Sequence, residues 1–148
     1  AAGPRNPISS VDPWGLSAYL FRGDDGYRTG DPIGLPLNGK AADKADIQTP
    51  WDHVNKKQGE MTSRYTSFSE ERVKTLKFGD RQAKVKLTDL DTLVERGSLR
   101  ILYPDDVAEE MNAAGKKKRD VRATVEQMKR NKEVLVEGEI PAEFIKNC

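Results

Sequence analysis

The order of local structure signals constrains the fold of this chain more than any other feature. Ala18 to Arg22 alternate as a strand and run into a turn, Gly23-Asp24-Asp25-Gly26. Residues 27–57 are rich in Gly, Pro, Asp and Lys and read as a long loop, with one helical turn near Lys40 to Asp46. A short strand over Tyr65 to Phe68 leads into a helix from Glu70, with Ser69 as its cap, Val73 and Leu76 on one face and Gly79 at its end. Val85 and Leu87 alternate with lysines in a half-buried strand, and "GSLRILY" is another. Pro104 to Gly115 is a short helix, "KKKRD" a basic loop, and the next helix puts Val121, Val125 and Met128 on one face. The last strand starts at Glu133. This order lacks the βαβ alternation of a parallel sheet, so it predicts an α+β fold built on antiparallel strands.

The totals narrow the chemistry. A chain of 148 residues suits one domain with one core. Its single cysteine, Cys148, allows neither an intramolecular disulfide nor a cysteine metal cluster, which fits work in a reducing cytosol. Its single histidine, His53, excludes two-histidine acid–base catalysis and His-rich zinc sites; its place beside Trp51 reads as loop. No apolar run approaches the roughly 18 residues of a spanning helix. The first residues show no charged-then-apolar signal pattern, so export is expected to use no signal of the domain's own. A net charge of +1 gives no support for wholesale binding to nucleic acid. A local cluster remains: "KKKRD" with Arg119, Arg122, Lys129, Arg130 and Lys132, which is either a solvated face or a phosphate track.

The N-terminal "NPISSVDPWGL" carries Asn6, Pro7, Asp12, Pro13, Gly15 and Leu16 in the pattern N-P-x-x-x-x-D-P-x-G-L. This resembles the end of the core of Rhs polymorphic toxins, after which the shell cleaves off its C-terminal toxin. The resemblance divides the chain into residues 1–16, the end of the core, and residues 17–148, a toxin domain. It implies delivery inside an Rhs shell by type VI secretion, action in the target-cell cytoplasm, and a cognate immunity protein.

Three further segments, "LFRG", "TSFSEERVKTLKFG" and "NKEVLVEGEIPAEFI", resemble in order the Arg, Ser-x-Ser, Glu pattern of mono-ADP-ribosyltransferases. "DHV" followed by "SRYTSFS" is also similar to ADP-ribosyltransferase domains at the ends of polymorphic toxins. The resemblance implies a split antiparallel β-sandwich with flanking helices, NAD as co-substrate, and transfer of ADP-ribose to a macromolecule, RNA or a translation protein. It assigns Arg22, Ser67 and Glu133 as catalytic. Arg22, Gly23, Ser67, Phe68, Ser69 and Phe78 would contact NAD, with Tyr65 a further aromatic candidate, and no metal is called for.

The residue types suit that chemistry. Breaking the nicotinamide–ribose bond leaves an oxocarbenium-like centre, which a nearby carboxylate stabilises. A guanidinium offers the pyrophosphate a planar fork of donors, and Gly23 allows close backbone approach. Ser69 serves as a helix cap as readily as a ligand. Among the acids, strand alternation puts Glu133, Leu135 and Glu137 on one face and Val134 and Val136 on the other. Glu139 and Glu143 lie beyond in turn and surface positions. The family pattern selects Glu133, with Glu137 as its rival on the same face. Asn131 stands where arginine-directed members carry a Glu, which weakens the case for an arginine acceptor. Three alternatives stand beside transfer: an NAD glycohydrolase, with water as acceptor, a nuclease, and a non-catalytic binding module that leaves NAD untouched. "DHVN" resembles the start of an HNH nuclease site, but that site needs a second histidine.

Overall fold

The computed structural model describes residues 18–24, 28, 30–56, 61–79 and 81–147, with the side chains of Lys56, Lys77 and Phe78 outside that set. The Rhs-like segment, residues 1–16, and Ser17 therefore lie outside the described residues.

Six strands form one antiparallel sheet: β1 (Tyr19–Gly23), β2 (Tyr65–Ser69), β3 (Gln82–Lys86), β4 (Arg100–Leu102), β5 (Glu133–Glu137) and β6 (Ile145–Asn147). Their order is β4-β5-β2-β1-β3-β6. Around them lie α1 (Lys40–Asp43), α2 (Pro50–Lys56), α3 (Leu87–Glu95), α4 (Pro104–Ala113) and α5 (Lys118–Asn131), with 3-10 helices at Arg72–Phe78 and Ala142–Phe144. The α+β, antiparallel expectation is met.

The sheet is not uniformly joined. β1 pairs with β3 from Tyr19↔Lys86 to Gly23↔Gln82, and β2 pairs with β5 from Tyr65↔Glu137 to Ser69↔Glu133. Between β1 and β2 the register has one pair, Phe21↔Ser69. Two three-stranded halves, β4-β5-β2 and β1-β3-β6, therefore touch at one point and diverge from it.

Two cores follow from this. Leu20, Phe68, Val85, Val134, Val136 and Ile145, from both halves, pack with Leu87, Leu90 and Leu93 of α3. On the other face of the β4-β5-β2 half, Tyr65, Leu102 and Leu135 pack against Val54 of α2, Val107 and Met111 of α4, and Met128 of α5. Each fully buried Leu or Val is worth about 1.5–3 kcal/mol over its exposed state, so β5 is held from both sides. The alternation inferred for it holds: Leu135 enters one core, Val134 and Val136 the other.

Several local expectations are corrected. Leu87 does not end a strand; it opens α3, whose buried Leu87, Leu90 and Leu93 recur at helical spacing. Residues 50–56, read as loop, are α2. Pro50 occupies its first turn, where a missing N–H costs nothing, and Thr49 Oγ1 accepts the Asp52 N–H at 3.3 Å. The helix expected from Glu70 is a 3-10 helix starting at Arg72, and Glu71 rather than Ser69 is its cap residue. Thr75 is buried, while Val73 and Leu76, the expected inner face, are 66% and 55% exposed. Gly79 does end it, at φ 149°. Most of "KKKRD" belongs to α5, which begins at Lys118. β6, from Ile145, was not foreseen; it pairs with β3 through Val85↔Ile145.

Candidate functional site

A cavity of about 270 Å³ opens where the two halves diverge, lined by Arg22, His53, Ser67, Ser69, Thr75, Asn131 and Glu133, with Gly23, Asp24 and Phe68 completing its wall. Arg22, Ser67 and Glu133, assigned from separate segments, thus meet in one place.

Glu133 is delivered by a sharp turn. α5 ends at Asn131, Lys132 takes the left-handed conformation at φ 52°, and β5 begins at the next residue. Lys132 is the only non-glycine residue at positive φ among the described residues, and its carbonyl accepts the Glu70 N–H at 2.9 Å. Glu133 is 4% exposed. Across the strand pair, Ser67 Oγ donates to Glu133 Oε2 at 2.6 Å, within the short range of a hydroxyl–carboxylate bond.

His53 Nε2 lies 2.7 Å from the same Ser67 Oγ, and His53 Nδ1 lies 2.7 Å from Ser63 Oγ. Ser67 has one proton, and the bond to Glu133 uses it. Nε2–H must then donate to Ser67, and in the neutral form of the ring Nδ1 accepts the Ser63 hydroxyl proton. Ser63 Oγ in turn accepts the Tyr65 N–H at 3.1 Å. The result is a directed chain, Ser63–His53–Ser67–Glu133, that ends on a carboxylate. The serine stands between histidine and acid, so this is not the order of a serine-hydrolase triad, in which the histidine is central. His53 is 8% exposed. It was read from sequence as a loop residue; the signal that would have placed it is Thr49-Pro50 with Trp51 and Val54 three apart, a capped amphipathic turn.

Arg22, at the end of β1, spans the divergence. Its Nη1 donates to Ser67 O and its Nη2 to Asp24 Oδ2, both at 2.9 Å. Gly23 is required for a reason beyond the one expected. A Cβ there would collide with the Thr75 carbonyl oxygen, so the glycine lets the 3-10 helix come close, and it also lines the cavity. Thr75 Oγ1 lies 2.7 Å from Gln82 Oε1, which ties this helix to β3. Ser69 Oγ donates to Asn131 O at 2.8 Å and accepts the Glu71 N–H at 3.1 Å, so it fastens strand, α5 and the following turn together. Phe68 is 2% exposed and belongs to the core as well as the cavity wall. The Phe78 side chain lies outside the described residues.

The rival acid is elsewhere. Glu137, at the far end of β5, accepts from Arg64 Nε at 3.0 Å and Arg100 Nη1 at 2.7 Å and does not line the cavity. Tyr65 packs beside it in the helix-side core; burial, then the Glu137 and Glu110 carboxylates, push its phenol above the ordinary value, so it stays neutral. Among the described residues no three His, Cys, Asp or Glu side chains group as metal ligands, and no helix is long and apolar enough to cross a membrane. In comparisons with protein-family models, curated proteins and solved structures, nothing matches the chain.

Proposed function

We propose that this domain is a mono-ADP-ribosyltransferase toxin that transfers ADP-ribose from NAD to a macromolecule inside a competitor bacterium. The observation that carries this reading is convergence. Arg22, Ser67 and Glu133, separated along the chain by 45 and 66 residues, line one cleft and are linked through Ser67. The single-pair junction between the two half-sheets supports the split-sandwich form of the fold that goes with it. Delivery inside an Rhs shell by type VI secretion and a cognate immunity protein belong to the same proposal.

The geometry suits the reaction. The cavity is slightly smaller than the usual range for ligand sites, so it suits the nicotinamide–ribose half of NAD, with the adenosine half outside. As the glycosidic bond breaks, its electron pair returns to the nicotinamide ring nitrogen and the ribose carbon becomes positive. Glu133, anchored through Ser67, supplies the compensating charge without having to reorient. Arg22 is set to meet the pyrophosphate, sharing its guanidinium with Asp24. The acceptor then attacks the opposite face of the sugar and releases its proton.

One observation favours a second reading. Asn131 lines the cleft where arginine-directed members of the resembled family carry an acid, which weakens the case for a guanidinium acceptor and favours water as the acceptor in an NAD glycohydrolase. Both readings are tested by incubating lysate and purified domain with labelled NAD, then digesting with protease or RNase. Label released by one of the two treatments identifies the acceptor class. Free ADP-ribose without labelled macromolecule favours the glycohydrolase, and intact NAD overturns both.

A further inference from the structure

The chain as a whole is almost neutral, with 25 basic and 24 acidic residues, but its charge is segregated. Eight of the cations and only two of the acids, Asp120 and Glu126, lie between Lys116 and Lys132. This segment is α5 with its two flanks. At 100° per residue Lys118, Arg122 and Lys129 fall within about 40° of one another, in a row about 16 Å long. Arg119 and Arg130 flank the row, and Glu126 stands beside it. The cations are all exposed, while Thr124 and Met128 on the opposite side of the helix are buried. Among the described residues, none of Lys118, Arg119, Arg122, Lys129 or Arg130 has an ion-pair partner.

The row leads to the site. α5 ends at Asn131, which lines the cavity, and Glu133 follows two residues on. Asn131 itself lies about 180° round the helix from the row, so a ligand lying along the row ends within about one helix diameter of the cleft, which its terminus reaches by rounding the end of α5. The chemistry of the face distinguishes between partners. Protein interfaces rest on apolar and aromatic anchors; among the described residues the exposed large hydrophobics are Met61, Val73, Leu76 and Val94, none of them on α5. A regularly charged polyanion needs no such anchors, only cations in line.

We propose that the exposed face of α5 is a track for the phosphate backbone of a nucleic acid, and that the acceptor of ADP-ribose is a nucleic acid guided along it to the cleft. The acceptor half of this proposal rests on the transferase reading above; the track half does not. A row of this length spans a few phosphates, so binding is expected to be salt-dependent and tolerant of base sequence.

The test separates binding from chemistry. Fluorescence anisotropy, without NAD, measures affinity for a labelled 20-nucleotide RNA and for DNA of the same sequence over a salt series. The variants are the triple Lys118→Ala, Arg122→Ala, Lys129→Ala and, to keep charge, the double Lys118→Arg, Lys129→Arg. The triple is expected to bind at least tenfold more weakly, with the slope of log affinity on log salt smaller by about 2 to 3. The double should bind like the parent. Alanine is a strong helix former, so α5 should persist, as circular dichroism would verify. Nicotinamide release without acceptor should be unchanged in the triple, while labelling of nucleic acid falls. The RNA and DNA arms tell the two sources apart. Triple-variant affinity within twofold of the parent overturns the track, as does loss of affinity for an acidic protein but not for either nucleic acid. If the parent binds nucleic acid through this row but leaves NAD intact, the transferase reading fails and the track stands.

Discussion

The two ends of β5 carry the same side chain on the same face at nearly the same burial, and they are built for opposite purposes. Glu137, 5% exposed, is clamped by Arg64 and Arg100, and these arginines extend the network to Asp43, Gln48, Leu37 O and Glu110. Glu133, 4% exposed, accepts from the Ser67 hydroxyl, which His53 Nε2 backs, and lines a cavity. A carboxylate between two guanidiniums has its charge consumed by the fold. Glu133 instead lines a cavity, where an entering ligand can reach it. The position of a buried acid on a strand says little about its role; the charge of its partners says more.

That contrast can be broken in four ways, in falling order of effect. Glu133→Gln should lower ADP-ribose transfer by about 10³, roughly 4 kcal/mol of transition-state stabilisation, with the melting temperature within a few degrees of the parent; transfer assayed with labelled NAD and a thermal melt check it. Glu137→Ala should do the reverse, costing about 3 kcal/mol of stability because it leaves Arg64, whose side chain is 18% exposed, with only Asp43 at 3.5 Å as its ion-pair partner. Urea denaturation measures that, and the fraction still folded should transfer at nearly the parent rate. His53→Leu removes the donor that orients Ser67, so kcat should fall about tenfold, or about 1.4 kcal/mol, with little change in NAD affinity by calorimetry. An equal loss in affinity would place His53 against the ligand instead. The smallest effect is at Glu70, beside the Lys132 turn that delivers Glu133. Burial raises its carboxyl above the ordinary value, which Lys132 partly offsets. Its ionised form is the one the fold disfavours, so it stabilises below its unfolded value and loses that contribution as pH rises through the folded one. Glu70→Gln should therefore be slightly more stable at pH 7, by about 0.5 kcal/mol or less once solvent screening at this partly exposed site is discounted, and equal to the parent below about pH 4. A variant less stable at pH 7 would contradict this.

The strands of the sheet centre were legible because alternation and turn residues mark them directly; β1, β2 and β5 fall where Arg22, Ser67 and Glu133 require them. The choice of Glu133 over Glu137 could not come from alternation, which treats them alike. It came from the family pattern, and the structure gives the physical difference in Arg64 and Arg100, residues 73 and 37 positions from Glu137. α3 was missed because Leu87, Leu90 and Leu93 follow a genuine strand with no turn between, so its first residue continues the strand's alternation. α2 was missed because it is short and set among Gly, Pro and Lys, and with it went His53, whose role depends on a contact 14 residues away. The inward turn of Thr75 was hidden because Val73 and Leu76 share a face at either the 3.6 or the 3-10 period, and the side of "RVKTLKF" that packs inward is the other one. Gly23 has a second reason to be glycine that no local pattern shows: the Thr75 backbone packs against it.

The most direct test of the account is nicotinamide release from NAD by the purified domain, run beside thermal melts of the parent, Glu133→Gln and Glu137→Gln. The account predicts that the parent releases nicotinamide, that Glu133→Gln melts like the parent but releases about 10³ less, and that Glu137→Gln melts lower yet retains release per folded molecule. Release by Glu133→Gln at the parent rate, or no release by the parent, would contradict it.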